Sequence, residues 1–174
     1  RLGSLCSITT GKLDANAASD DGEYSFFTCS KDALRVNSFA FDGDAIIING
    51  NGVLGYTRKF SGRFDAYQRT YVLMNFVDCR DYIEAAIQVR LPASIAREAI
   101  GGAMPYIKLE TLSELLLPIP DLPEQIAVSE FFDKLDDLIT LHQRKLSNLQ
   151  RLKSGLLQKM FPKNGSDVPE IRFP

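Results

Sequence analysis

From Asp121 to Phe161 the chain reads DLPEQIAVSEFFDKLDDLITLHQRKLSNLQRLKSGLLQKMF, with no proline between Pro123 and Pro162 and a single glycine, Gly155. Nearly forty residues without a helix breaker predict one rod of ~55 Å at ~1.5 Å per residue, far longer than an average globular helix. Its start is marked as well. Pro118, Pro120 and Pro123 make a stiff, extended approach. Asp121 and Glu124 stand in a capping-box relation, the first accepting from the orphan amides of the first turn.

The rod carries a heptad seam. Val128, Leu135, His142, Leu149 and Leu156 form one series, and Phe132, Ile139, Leu146, Lys153 and Met160 the other. Phe131, Leu138, Leu141, Leu152 and Leu157 widen the stripe, which therefore meets more than one neighbour. A globular part of ordinary size does not cover ~55 Å of apolar surface, so a partner helix from outside the segment is expected. His142, the one histidine, is read as a register-setting polar residue, since no Ser, Cys or metal-ligand set accompanies it. Lys153 has an apolar stem that lets its charge reach water.

Before the prolines the pattern is shorter. FFTCS (residues 26–30), AIII (45–48) and RTYVLM (69–74) are β-branched and aromatic, separated by Gly, Asn and Asp. DYIEAAIQV (81–89) and ASIAREAI (93–100) read as two helices parted by Pro92, with Gly101 and Gly102 closing the second. The expected fold class is α+β: a globular domain on a mixed or antiparallel sheet, followed by a long coiled-coil-type α-helix. The expected divisions are residues 1–120, 121–162, and a linker at 163–174.

Within NGNGVLG, glycines 50, 52 and 55 spell G-x-G-x-x-G. A dinucleotide fingerprint needs a helix directly after these glycines. VLGYTRKF begins no helical period, so a Gly/Asn turn between two strands, of hairpin type, is expected instead, followed by a basic loop.

Little else suggests catalysis. One histidine and three scattered cysteines make no metal set, no nucleophile elbow or P-loop lysine is present, and an aminomethyltransferase motif is missing. Asp42 and Asp44 invite a nuclease reading, but turn-forming aspartates at a strand entry account for them. Cys6, Cys29 and Cys79 suggest reduced thiols in a cytoplasmic protein. No apolar run approaches the ~18 residues of a membrane span. A net charge of −2 excludes indiscriminate coating of nucleic acid but leaves room for a local patch. RKFSGRFDAYQR (58–69) is the dense basic stretch, interleaved with aromatics.

The PIPDLPEQ junction, the LDDLITLHQRKLSNLQRLKSGLLQKMFP helix and the closing PEIRFP resemble the conserved region of type I restriction–modification specificity subunits. RLGSLCSITTGKLDANAASDDGEYSFFTCS resembles the opening of a target recognition domain in that family. The resemblance implies a modular DNA reader in which each recognition domain reads half of a split target and paired helices fix the spacing. It implies duplex DNA, methyltransferase and restriction subunits, and a second half or second copy as partners, with no membrane. It implies no cofactor in this chain, S-adenosylmethionine being held by the methyltransferase. One recognition domain and one helix suggest a piece of a longer subunit, with a natural half-length subunit that dimerises as the alternative. The rival functions are a metal-dependent enzyme acting on DNA and a coiled-coil adaptor without DNA binding.

Three groups are expected at the DNA face: Thr10, Gly11 and Lys12; Asn49 and Asn51; and Arg58, Lys59, Arg63, Tyr67, Gln68 and Arg69. Gly11 would allow close backbone approach, while Lys12, Lys59 and Arg63 would meet phosphates. The amides of Asn49, Asn51 and Gln68, with Arg69, have base-edge chemistry. Helix pairing is assigned to Val128, Phe132, Leu135, Ile139, His142, Leu146, Leu149, Leu156 and Met160.

Overall fold

A computed structural model describes residues 1–98, 106–162 and 167–172. The chain forms two compact units, Arg1–Ser129 and Glu130–Pro174. The first is built on strands β1 (Ser7–Thr10), β2 (Tyr24–Phe27), β3 (Leu34–Val36), β4 (Phe41–Asn49), β5 (Thr57–Ala66) and β6 (Thr70–Met74). The helices are α1 (Arg80–Glu98), α2 (Leu109–Ser113) and α3 (Leu122–Met160). The strands lie in the order β1-β6-β4-β5-β2-β3. Every pair is antiparallel except β2 with β5, so the sheet is mixed and the fold is α+β.

Alternation along β4 sorts its residues onto two layers. Ile46 and Ile48 join Tyr71, Leu73, Ile83, Ile87, Leu91 and Leu112 in one core, which α1 covers. Ala45 and Ile47 face the other way, into a cluster with Phe27, Phe64, Ala66 and Val72. There Phe64 makes edge contacts with Phe27 and Phe60 at 5.5 and 5.3 Å and stacks on Phe41 at 5.1 Å.

Three local expectations are corrected. The basic stretch is not a loop; residues 58–66 lie in β5, paired with β4 from Phe64↔Phe41 to Thr57↔Ile48. Its aromatic and basic residues alternate, and an apolar residue every second position is a strand signal. Residues 81–98 are not two helices, because α1 runs through Pro92. Ile83, Ile87 and Leu91 are buried and Ile95 packs beside them. Four apolar side chains at ~1.5–3 kcal/mol each outweigh the ~3 kcal/mol an interior proline costs. Asp42 and Asp44 are not turn residues either; both lie within β4 and accept from arginines. Gly101 and Gly102 lie outside the described residues.

The long helix forms as its breaker-free sequence requires. Asp121 Oδ1 accepts from Glu124 N at 3.0 Å, the cap that starts it. Its first two turns belong to the first unit, where Gln125, 1% exposed, donates to Asp78 Oδ1 and Pro120 O and accepts from Cys79 N. In the second unit Phe132, Leu135, Ile139, Leu146, Leu149 and Leu156 are all exposed along the helix, as is His142. Among the described residues no helix is long and apolar enough to cross a membrane.

Candidate functional site

One end of the sheet gathers four connections. The 11–13 segment leaves β1 and forms a parallel bridge to the β5–β6 turn, Leu13 opposite Tyr67. Gln68 N donates to Leu13 O at 3.0 Å and Gly11 N to Thr70 O at 3.2 Å. Tyr67 N donates to Phe27 O at 2.9 Å, tying in the end of β2. The 50–56 connection joins through Gly50 N to Arg69 O at 2.9 Å, and Ile107 N donates to Gly50 O at 2.8 Å. Arg69 O also accepts from Cys29 Sγ at 3.5 Å. The backbone here is tied by hydrogen bonds from several directions, which fixes the points from which the side chains project.

An open groove of about 590 Å³ lies on this end, lined by Thr10, Gln68, Arg69, Tyr106 and Lys108 among others. Lys12 is exposed on the adjoining connection. Among the described residues, none of the side chains of Thr10, Lys12, Gln68, Arg69 and Lys108 has a hydrogen bond or ion pair. They are exposed donors on a braced backbone, without a protein acceptor among the described residues. Below them the Tyr71 hydroxyl donates to Ile107 O at 2.8 Å, its pKa raised by burial and by Tyr106.

The structure thus brings the first expected group together with Tyr67, Gln68 and Arg69. It does not bring the others. Gly11 is buried, and a Cβ there would lie 1.8 Å from Ala66 O. The close backbone approach it permits is to β5, not to a ligand. Asn49 has no exposed surface; its Nδ2 donates to Ser30 O at 3.0 Å and its Oδ1 accepts from Arg58. Asn51 is half-buried and its Oδ1 is buried, without a hydrogen-bond partner among the described residues. Gly52, at φ 63°, fits against Cys29 O in a backbone conformation that side chains resist.

Arg58 is a strut. Its guanidinium lies 5.0 Å from the ring centres of both Phe27 and Tyr56. It donates to Lys31 O and Ser30 O, each at 2.7 Å, and to Asn49 Oδ1 at 3.0 Å. Burial lowers its pKa, opposed by Tyr56 and Asp32; a guanidinium stays charged regardless. Lys59 pairs with Asp81 at 3.2 Å. Arg63 pairs with Asp42 at 3.1 Å and lies over Phe39, its pKa raised chiefly by the Asp42 hydrogen bond. Register puts Asp42 and Arg63 at the far end of β4 from Asn49, roughly 20 Å away at ~3.3 Å per residue.

Sequence reasoning missed Tyr106 and Lys108. Their neighbourhood depends on a pairing across the fold, Ile107 to Gly50, that no local pattern announces. Among the described residues, no group of His, Cys, Asp and Glu is arranged to hold a metal ion.

Comparisons with known proteins bear on the family and the fold. A family model described as type I restriction modification DNA specificity domain matches residues 1–151. The chain is 32% identical over 173 residues to the type I restriction enzyme EcoDI specificity subunit of Escherichia coli, covering 98% of this chain and 38% of that protein. It is 21% identical over 175 residues to the type I restriction enzyme MjaVIII specificity subunit of Methanocaldococcus jannaschii, covering 94% and 41%. The chain therefore spans about two fifths of the length of these curated relatives. Among solved structures, the S subunit of a type I restriction–modification system from M. genitalium superposes with a TM-score of 0.70 at 21% identity, over 92% of this chain and 44% of that one. The HsdS subunit from Thermoanaerobacter tengcongensis gives 0.61 at 20% identity, with the same coverage. At these identities the solved structures speak for the fold.

Proposed function

The chain belongs to the type I restriction modification DNA specificity family, and from that premise we propose that it reads one half of a bipartite duplex target. The observation that carries this reading is the set of unengaged donors at the sheet end, Thr10, Lys12, Gln68, Arg69 and Lys108, on a hydrogen-bonded backbone. Gln68 and Arg69 have the bidentate chemistry that reads adenine and guanine edges, while Lys12 and Lys108 suit phosphates. A loop scaffold fixed in advance loses little entropy on binding.

In this reading the exposed seam of α3 pairs with the corresponding helix of a second half or second copy, setting the half-site spacing. Methyltransferase and restriction subunits dock on the assembly and carry the chemistry, with S-adenosylmethionine held by the methyltransferase. The chain itself is non-catalytic. The rival nuclease reading loses its motivating pair, since Asp42 and Asp44 are matched by Arg63 and Arg80.

The test is duplex binding by the assembled complex carrying Gln68→Ala with Arg69→Ala, beside Arg63→Ala from the far end of the sheet. Losing two base contacts at ~1–3 kcal/mol each predicts at least tenfold weaker binding for the first variant. The second should bind as wild type. The reverse ranking would move the DNA face away from this groove.

A further inference from the structure

Unpaired positive charge continues past the sheet end. Lys108 lines a second groove as well, of about 670 Å³, with Arg90, Ser94 and Arg97 of α1 on one wall. These three fall at i, i+4 and i+7, so they share a helix face. Among the described residues none of their side chains has a hydrogen bond or ion pair. The other wall carries Glu110 and Glu114, and Glu114 is already paired with Arg1 at 2.7 Å. Among the described lining residues, three cations therefore face one uncommitted carboxylate.

Arg90 and Arg97 are ~10.5 Å apart along the helix at ~1.5 Å per residue, far enough apart to meet two different phosphates of a backbone whose charges recur every ~3.4 Å of duplex axis on each strand. The stripe is made of two arginines, a serine and a lysine, the side chains that most often meet phosphate oxygens. Through Lys108 it is continuous with the groove assigned to the half-site. We propose that the groove between α1 and α2 carries the sugar–phosphate backbone of duplex DNA outside the half-site, with Arg90 and Arg97 as phosphate contacts. This rests on the DNA-reading function proposed above, and it extends the footprint beyond the bases read.

The experiment uses the assembled complex and two duplexes containing its half-site. One ends at the outer edge of the half-site; the other continues by one helical turn of arbitrary sequence. Arg90→Gln with Arg97→Gln should weaken the long duplex about tenfold and flatten its log–log salt dependence by about 1.8, at ~0.9 per phosphate. Affinity for the short duplex and sequence preference should not change. Both positions are exposed and Gln is a good helix former, so the fold is expected to hold. Wild-type binding and an unchanged salt slope on the long duplex would overturn the proposal. So would an equal loss on both duplexes, or weaker methyltransferase association with DNA affinity intact, which would give the groove to an acidic protein partner. Arg69→Gln with Lys108→Gln separates the two levels: if that variant also binds normally, the half-site reading itself fails.

Discussion

Arg58 is the sharpest case where sequence and structure assign different jobs to one residue. As part of a basic stretch it resembles a DNA contact; in the fold it clamps the 28–32 segment to the β4–β5 connection. Arg58→Ala removes hydrogen bonds to Ser30 O, Lys31 O and Asn49 Oδ1 and two ring contacts. The Ser30 and Lys31 carbonyls can turn to water, so their loss is modest. Asn49 is wholly buried, and an acceptor stranded there costs ~1–3 kcal/mol. The two ring contacts add ~0.5–1 kcal/mol each. The expected destabilisation is therefore ~3 kcal/mol, or roughly 10 °C in Tm for a unit of this size. Arg58→Lys should recover little, because an ammonium cannot reproduce the flat fork between two rings. The assay is urea unfolding, with duplex binding measured on the folded fraction. A variant of wild-type stability that has lost DNA binding would refute the clamp and restore Arg58 to the interface.

Other substitutions probe separate parts of the account. Gly11→Ala forces a Cβ to 1.8 Å from a backbone oxygen, so the β1–β6 end must shift; a loss of more than ~2 kcal/mol is expected in chemical unfolding. The Cys6 thiol is pushed up to about 11 by burial, above its unfolded value. Its folded state keeps the proton longer, so this contribution to stability is complete below about pH 9 and is lost as pH rises through 11. Unfolding titrations over that range should show the decline in wild type and less of it in Cys6→Ala, and Cys6 should react with thiol reagents more slowly than Cys29 or Cys79. Leu135→Asp with Leu149→Asp places charge on the α3 seam. Sedimentation should show weakened self-association with the first unit still folded, whereas a wild type that stays monomeric at high concentration would count against pairing through this face.

What was legible in the sequence was what local periodicity and punctuation encode. The rod followed from a breaker-free run and a cap, and Asp121 performs that cap. The glycine motif was recognisable as a connection because no helix follows it, although the connection at 50–56 is longer than a two-residue turn. The basic stretch misled because charge drew attention from the alternation of Phe60 and Phe64 with Lys59 and Arg63, which is the signature of β5. Pro92 misled because its local cost is visible in sequence, whereas the burial that offsets it is a tertiary property. At the site, Lys12, Gln68 and Arg69 were readable as donors. That they share one end of the sheet, while Asn49 and Arg58 turn inward, depends on strand register and on long-range hydrogen bonds.

The most direct measurement is a map of methylated sites in cells carrying the complete system, with Gln68, Arg69 and Lys108 changed in this half alone. The account predicts that one half of the bipartite target changes or relaxes, while the other half and the spacing stay as they were. An unaltered target at full methylation, or a change in the opposite half-site, would contradict it.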